Sequence, residues 1–291
     1  MKQHIVPRTI LRGFQINNPN TKANAKIMVL SKDGVKTAKI SDAFQAEGFY
    51  GKDIEALLNK TFEDPFGKIR NIFVRHAKQK VDTVLLTQEK YFQLICFIQV
   101  MWRRNDIHLK RVKVKAESLE KQTGIPFKAK VVDTQAFQEN LYKEMISKTT
   151  RDDPTVQKTH RHYRPVLLVN ETSIAFPLHS KYGSVHYFLE RNEQFPSLII
   201  EPMSSTMYLI FVRDTDYNKD AQDPQVIKMH YLQDEAMIKA LIFMYIIDHA
   251  DKYVVDESNI ELVKMRIQRD PHYPMDKAAF KRIINLLNIV S

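Results

Sequence analysis

Two side chains near the start of the chain have the types that phosphate chemistry uses. His4 and Arg12 lie within the segment Lys2-Gln3-His4-Ile5-Val6-Pro7-Arg8-Thr9-Ile10-Leu11-Arg12-Gly13-Phe14. A histidine titrates near neutral pH and can move a proton, and a guanidinium can hold a phosphate through two N–H donors. The pair predicts a catalytic site for phosphodiester cleavage. The alternative is architectural, with Pro7, Leu11 and Phe14 anchoring the segment while both polar groups satisfy buried partners.

A basic stretch follows the longest helical pattern of the first half. It carries six cations against the single acid Asp106: Arg103, Arg104, Lys110, Arg111, Lys113 and Lys115. Cations interleaved with the rings of Trp102 and His108 are typical of a groove that follows a phosphate backbone. We expect Arg104 to stabilise phosphate charge beside Arg12 and the other five cations to bind nucleic acid. A solvated helical face has the same composition, and Trp102 continues an apolar stripe that predicts packing.

A third polar segment reads Lys158-Thr159-His160-Arg161-His162-Tyr163-Arg164. If it forms a strand, alternate residues point to one face, and the two imidazoles could bind a metal ion or a phosphate. The surrounding lysine and arginines disfavour a bound cation. We therefore predict nucleic-acid contacts for His160, Arg161 and His162, with an exposed basic loop as the simpler alternative.

The acidic side chains give only a weak indication of a metal site. Glu47, Glu55 and Glu63 are spaced eight residues apart, which is not a whole number of helical turns, so they are not expected to share a face. Glu63 and its neighbour Asp64 are expected to be solvated helix charges. We predict no metal and no cofactor.

Composition and charge favour a cytosolic protein with an anionic partner. Residues 1–150 hold 27 lysines and arginines against 15 aspartates and glutamates, a net charge of +12. Residues 151–291 carry a net charge of −2, which gives +10 for the whole chain. Such a surface suits nucleic acid or an acidic protein partner. Cys96 is the single cysteine, which fits a reducing compartment. No signal peptide is expected, and no apolar run reaches the roughly 18 residues of a membrane span. The assembly state stays open.

A β-hairpin and several helices are predicted for the first half. Residues 26–31 and 35–40 flank Lys32-Asp33-Gly34, and Asp-Gly between short apolar runs is a hairpin signal. Helices are predicted at residues 53–58 and after Asp64-Pro65, where a capping side chain precedes a first-turn proline. Thr87 precedes the longest helical pattern, and a further helix is predicted from about 134 to 147.

Short apolar or alternating runs predict an antiparallel sheet in the second half. The predicted strands are residues 166–169, 173–178, 185–189, 198–201 and 207–212. The predicted helices are residues 234–250, 258–265 and 276–287. The fold class is therefore α+β, with a helical N-terminal half opening on a short hairpin, then an antiparallel sheet with C-terminal helices. The expected regions are 1–148, a linker or loop at 149–158, and 159–291, or else one interleaved domain.

The opening segment resembles the start of a bacterial family known as domain of unknown function 4238. Members typically begin His-Tyr-Val-Pro and continue to Leu-Arg-x-Phe, so Ile5 replaces a tyrosine here. The likeness continues more weakly at Phe49-Tyr50 with Glu55, at Arg104-Asn105-Asp106 and at Glu201-Pro202-Met203-Ser204. The resemblance supports a role for Glu55 in orienting the histidine or the arginine, and it implies no particular reaction.

Two classes of function follow. The sequence contains no phosphate-binding glycine loop, dinucleotide fingerprint, His-Glu-x-x-His or Gly-x-Ser-x-Gly motif. The first hypothesis is a protein that acts on nucleic acid, a metal-independent nuclease of the kind that bacterial defence or toxin systems use, by analogy. Its catalytic residues would be His4, Arg12, Glu55 and Arg104. The alternative is a non-catalytic module that binds nucleic acid or an acidic protein partner.

Overall fold

The computed structural model describes residues 2–4, 6–16, 24–47, 52–103, 114, 117–124, 135–179, 185–189, 196–214, 225–246, 250–269 and 276–288. Within these ranges the strands are β1 (Lys2–His4), β2 (Lys26–Ser31), β3 (Gly34–Lys39), β4 (Gln45–Glu47), β5 (Thr83–Leu86), β6 (Tyr163–Asn170), β7 (Leu178–His179), β8 (Val185–Tyr187), β9 (Leu198–Ser204), β10 (Met207–Arg213), β11 (Gln225–Leu232) and β12 (Lys252–Val255). The α-helices are α1 (Arg8–Leu11), α2 (Lys52–Leu58), α3 (Asp64–Lys78), α4 (Gln88–Arg103), α5 (Gln135–Lys148), α6 (Pro154–His162), α7 (Glu235–Tyr245), α8 (Ile260–Ile267) and α9 (Lys277–Leu286). A 3-10 turn, Arg12–Phe14, continues α1, and a π-helical turn, Asn59–Glu63, joins α2 to α3.

A six-stranded sheet forms the centre of the fold, in the order β5-β11-β6-β10-β9-β8. Its neighbours pair antiparallel except β6 and β11, which run parallel, so the expectation of a purely antiparallel sheet is corrected. Side chains of β10 alternate between two apolar cores: Leu209 and Phe211 join one, and Tyr208 and Ile210 join the other. Because both faces are covered, the central strands read as continuous apolar runs.

Helices from the two ends of the chain cover the two faces of this sheet. The first core contains Phe73 of α3 and Phe97 of α4, and the second contains Leu241 of α7 and Ile283 of α9. Each such buried side chain contributes about 1.5–3 kcal/mol relative to exposure. The α+β class is confirmed. Among the described helices, none is both long enough and apolar enough to cross a membrane.

Strands from both halves of the chain share their sheets. The predicted hairpin is confirmed as β2 and β3, with Leu30 opposite Val35 and Gly34 in the left-handed region at φ 98°. This hairpin continues into a four-stranded sheet in the order β3-β2-β12-β7. In the central sheet, β5 of the first half pairs with β11 of the second. The first half is therefore not an independent helical layer, because its strands complete sheets built from the second half.

The stretch expected to be a linker contains the start of α6. The Asp153 carboxylate accepts hydrogen bonds from the backbone N–H groups of Thr155 (2.7 Å) and Val156 (3.4 Å), and Pro154 occupies the first helical turn. A capping side chain followed by proline is a helix start signal. Helical structure therefore begins here and runs to His162.

The opening segment is docked onto the central sheet. Val6, Ile10, Leu11 and Phe14 are buried in the first core. Gly13 lies against β9, where a Cβ atom on this residue would be 2.7 Å from the Met203 carbonyl oxygen. The Gly13 carbonyl oxygen accepts a hydrogen bond from the Ser205 N–H at 2.9 Å. No side chain larger than hydrogen fits between these two backbones.

Substitution of Gly13 by alanine is expected to destabilise the fold by about 2–3 kcal/mol, because backbone atoms must move to admit the methyl group. The matched control is Gly67→Ala on α3, where the new Cβ would be 3.2 Å from the Thr9 methyl carbon. A side chain can give way there, and alanine improves helix propensity by about 1 kcal/mol. Urea unfolding of both variants measures the difference, and an equal loss in the two would contradict the close approach at Gly13.

Candidate functional site

The first helical turn of the chain presents two guanidiniums. Ile10 and Leu11 bury the apolar side of α1. Arg8 and Arg12 are four residues apart, a spacing that puts two side chains on one face of a helix. Arg12 keeps helical backbone angles (φ −61°, ψ −22°), so this spacing continues into the 3-10 turn. Arg8 is exposed and Arg12 is partly buried. Burial of the apolar side therefore fixes where both cations lie.

Glu63 at the end of the π-helical turn is followed by Gly67 and Arg70 of α3 at intervals of four and three residues, one stripe of the continuing helix. Gly67 lies under Thr9 of α1, at the close approach described above. The Arg70 guanidinium donates a hydrogen bond from Nη1 to the Thr9 carbonyl oxygen. The missing side chain at Gly67 therefore lets α1 lie directly on the polar stripe of α3.

The π-helical turn brings two carboxyl groups together. Eight residues of α-helix rotate by about 800°, which would leave Glu63 about 80° away from Glu55 around the axis. A turn closed by i→i+5 hydrogen bonds holds about one residue more than an α turn and removes most of this offset. Glu55 is close enough to raise the pKa of Glu63. The expectation that Glu47, Glu55 and Glu63 would not share a face assumed a regular α-helix, and the π-helical turn departs from one.

Glu63 is a buried carboxyl group, with 4% of its surface exposed. Burial, then the charges of Glu55 and Asp64, raise the pKa of Glu63 to about 8, and Arg8 acts in the opposite direction. The pKa of Glu55 is also raised by burial and is lowered in turn by Arg8. The expectation that Glu63 is solvated is wrong, whereas Asp64 is exposed as expected. At neutral pH Glu63 is mostly a neutral acid.

The polar cluster, defined as Arg8, Arg12, Glu55, Glu63 and Arg70, combines the parts of acid–base chemistry on an anion. A neutral carboxylic acid can donate a proton at pH 7, a second carboxyl group can accept or orient one, and guanidiniums can hold anionic oxygens. Within the described ranges, no three His, Cys, Asp or Glu side chains are grouped so as to hold a metal ion. The chemistry available in the cluster is proton transfer beside fixed positive charge.

Two of the predicted catalytic residues, Arg12 and Glu55, belong to the polar cluster. Arg12 follows Arg8 on the same helical turn, and the charge of Arg8 acts on Glu55. His4 lies in β1, opposite Gln45 of β4, and its side chain is outside the described part of the structure. The same is true of the Arg103 side chain at the end of α4. The remaining predicted cations of the basic stretch fall outside the described residues altogether: Arg104, Lys110, Arg111, Lys113 and Lys115.

The predicted histidine segment forms a helix instead of a strand. Residues two apart on a helix point about 200° away from each other, and accordingly His160 is 2% exposed whereas His162 and Arg161 are exposed. The His160 ring stacks on Phe92 with centroids 4.6 Å apart. The shared face inferred for the two imidazoles is therefore wrong, and His160 is out of reach of a backbone phosphate. Roles for Arg161 and His162 stay predictions.

Sequence reasoning missed three members of the polar cluster: Arg8, Glu63 and Arg70. Arg8 had a detectable signal, because its four-residue spacing from Arg12 is the helical repeat. Glu63 precedes Asp64-Pro65, and a helix start predicted there concealed the π-helical turn that continues from α2. Arg70 had no local signal, because its contact with Thr9 spans 61 positions of the chain.

A second fully buried carboxyl group lies on β9. Burial raises the pKa of Glu201 well above its ordinary value. Burial, then Tyr208 and Glu201, raise the pKa of Tyr245, whose ring stacks on His179 with centroids 4.9 Å apart. This group belongs to the interior of the fold, where a neutral carboxyl group is the expected form.

Residues 2–265 match the protein family described as "Protein of unknown function (DUF4238)". No curated protein and no solved structure matches the chain. The match extends from the docked opening segment through the central sheet into α8, so it spans the polar cluster and the first apolar core, and it ends before α9 of the second. The chain therefore belongs to the DUF4238 family.

Proposed function

We propose that the chain is a cytosolic protein that acts on nucleic acid and cleaves phosphodiester bonds without a metal ion. The observation that carries the proposal is Glu63, a buried carboxyl group with a pKa of about 8, beside the guanidiniums of the polar cluster. Strongly shifted pKa values next to specific charges are typical of acid–base sites. A protonated acid and fixed cations are the two parts that a phosphodiester cleavage without metal requires.

The proposed reaction has a definite proton balance. A general base removes the proton of an attacking hydroxyl, its oxygen attacks phosphorus, and the leaving oxygen takes a proton from a general acid. Glu63 is proposed as the acid, because it holds a proton at neutral pH. His4 is proposed as the base, with Glu55 orienting it or Arg12. Arg12 and Arg104 are proposed to stabilise the charge on the phosphoryl oxygens.

The excess of positive charge supports nucleic acid as the substrate. Residues 1–150 carry a net charge of +12, and they contribute every member of the polar cluster. Cations that contact phosphates supply most of the non-specific affinity of a protein for nucleic acid. The basic stretch from residue 103 to 115 is proposed to bind the backbone on either side of the cleaved bond.

Removal of the catalytic side chains is expected to abolish cleavage without unfolding the protein. His4→Ala and Arg12→Gln should each lower the rate of degradation of labelled RNA or DNA at least about 100-fold, the usual effect of losing a general base or an oxyanion contact. The matched control is Arg75→Gln, an exposed arginine of α3, which should retain activity. Melting temperatures within about 2 °C of the parent protein would show that the loss is chemical.

The alternative class, a binding module, predicts a different pattern. Binding of polynucleotide would then survive His4→Ala, and no cleavage would occur with or without added divalent metal. A titration at several salt concentrations separates phosphate contacts from others, since affinity should fall steeply as ionic strength rises. That combination of results would contradict the catalytic proposal.

Substitution of Glu63 by glutamine is expected to change the pH dependence of both activity and stability. Cleavage by the parent protein should decline as pH rises through about 8, because the acid loses its proton. In the unfolded chain this carboxyl ionises near pH 4.5, so the parent protein loses stability between pH 4.5 and 8. The variant lacks this loss. The melting temperature of the variant minus that of the parent should therefore increase by about 3 °C or more from pH 5 to pH 8.

The control for this experiment is Glu257→Gln, an exposed carboxylate before α8. Its melting temperature relative to the parent should be the same at both pH values, because an exposed side chain is solvated in both states. If Glu63→Gln also shows no pH-dependent gain, Glu63 does not carry a proton in the folded protein at neutral pH.

A further inference from the structure

Arg70 is a mostly buried guanidinium whose position is fixed by the backbone of another element. Nη1 donates to the Thr9 carbonyl oxygen. Nε is buried and has no hydrogen-bond partner among the residues described. A buried donor without an acceptor costs free energy, and such groups in native proteins often belong to a bound ion or water.

Arg12 is the neighbour of Arg70 across the contact between α1 and α3. The two cations interact, since after burial the charge of Arg12 is the second cause that lowers the pKa of Arg70. In the part of the chain that the structure covers, the Arg12 guanidinium has no hydrogen-bond or ion-pair partner. The two guanidiniums therefore interact while partly removed from water, and neither forms an ion pair among the residues that the structure describes.

The cations of the polar cluster act on different groups. Arg8 is the cation that acts on the carboxyl groups, because it lowers the pKa of both Glu55 and Glu63. Arg12 acts on Arg70, and like charges repel more strongly in a setting less polar than water. An anion bound between them would remove this repulsion and give their N–H groups acceptors.

We propose that Arg12 and Arg70 form a clamp for one phosphoryl group, in which Arg70 is a binding residue held in place by Thr9 and by the close approach at Gly67. The inference rests on the proposed function and deepens it, since it assigns the phosphate to Arg12 and Arg70 and proton transfer to the carboxyl groups. Planar guanidiniums bind tetrahedral oxyanions through paired N–H donors. Because Thr9 already orders Arg70, little side-chain entropy remains to be lost on binding.

Protection against thermal unfolding tests the clamp with defined probes. Melting temperatures are measured at pH 7 in inorganic phosphate, in a dinucleoside monophosphate with one internal phosphodiester, and in chloride of matched ionic strength. The parent protein should be stabilised by both phosphate compounds beyond chloride. Arg12→Gln and Arg70→Gln should each weaken the fitted dissociation constants about tenfold, the effect of losing a charged hydrogen-bond pair. The control Arg75→Gln should bind as the parent does.

A second variant covers the case in which Arg70→Gln does not fold. Arg70→Lys keeps the charge and can still donate to Thr9, but it lacks the planar pair of donors. It should fold and bind phosphate more weakly than the parent protein. The partly exposed Arg12 provides an independent measurement, because its substitution removes no described hydrogen bond.

The outcomes separate the clamp from the nuclease. Absence of stabilisation beyond chloride in the parent, or an unchanged dissociation constant in both Arg12→Gln and Arg70→Gln, overturns the clamp even if nucleic acid is cleaved. Phosphate binding that both substitutions weaken supports the clamp, whether or not cleavage is found. Absence of cleavage would in that case contradict the nuclease alone. Binding of inorganic phosphate without the dinucleotide would support a clamp for free or terminal phosphate and count against the proposed function.

Discussion

Burial of the apolar side of α1 against the central sheet positions the two arginines of the opening segment beside α3 and the carboxyl groups of the cluster. A four-residue helix has no stability of its own, so tertiary contacts must fix its direction. Ile10 and Leu11 supply apolar area, and Gly13 supplies the backbone contact with β9. A structural role for the apolar residues of the opening segment is therefore compatible with a binding or catalytic role for its arginines. Its apolar residues hold the helix, and the arginines between them are presented to α3 as a result.

The cluster also costs the folded state free energy. A carboxyl group with a pKa of about 8 and a pair of partly buried guanidiniums that repel each other are both less stable in place than in water. The two apolar cores on the central sheet provide the stability that offsets such groups. Sites of this kind are expected where binding or proton transfer needs a group in a form that water alone would not favour.

Local patterns in the sequence predicted what local physics determines. The Asp33-Gly34 turn, the apolar runs of β6, β9 and β10, and the cap of Asp276 each depend on a few neighbouring residues, and the structure contains all of them. Other features depend on distant partners. The strand β5 needs β11 to complete it, and Arg70 needs Thr9. The strand predicted around His160 was wrong because this segment is compatible with a strand or a helix. The Asp153 cap and the packing of His160 on the Phe92 ring favour the helix.

The π-helical turn Asn59–Glu63 makes the alignment of the two carboxyl groups depend on the backbone between them and not only on side-chain identity. A deletion of one residue in this turn would place Glu55 and Glu63 seven residues apart on a regular helix, a rotation of about 700°, so the two groups would stay within about 20° of each other. A regular α-helix that kept all eight residues would instead leave them about 80° apart. Relatives that keep every polar residue of the cluster could thus differ in chemistry according to whether this turn is π-helical, a difference that a comparison of residue identities alone would overlook.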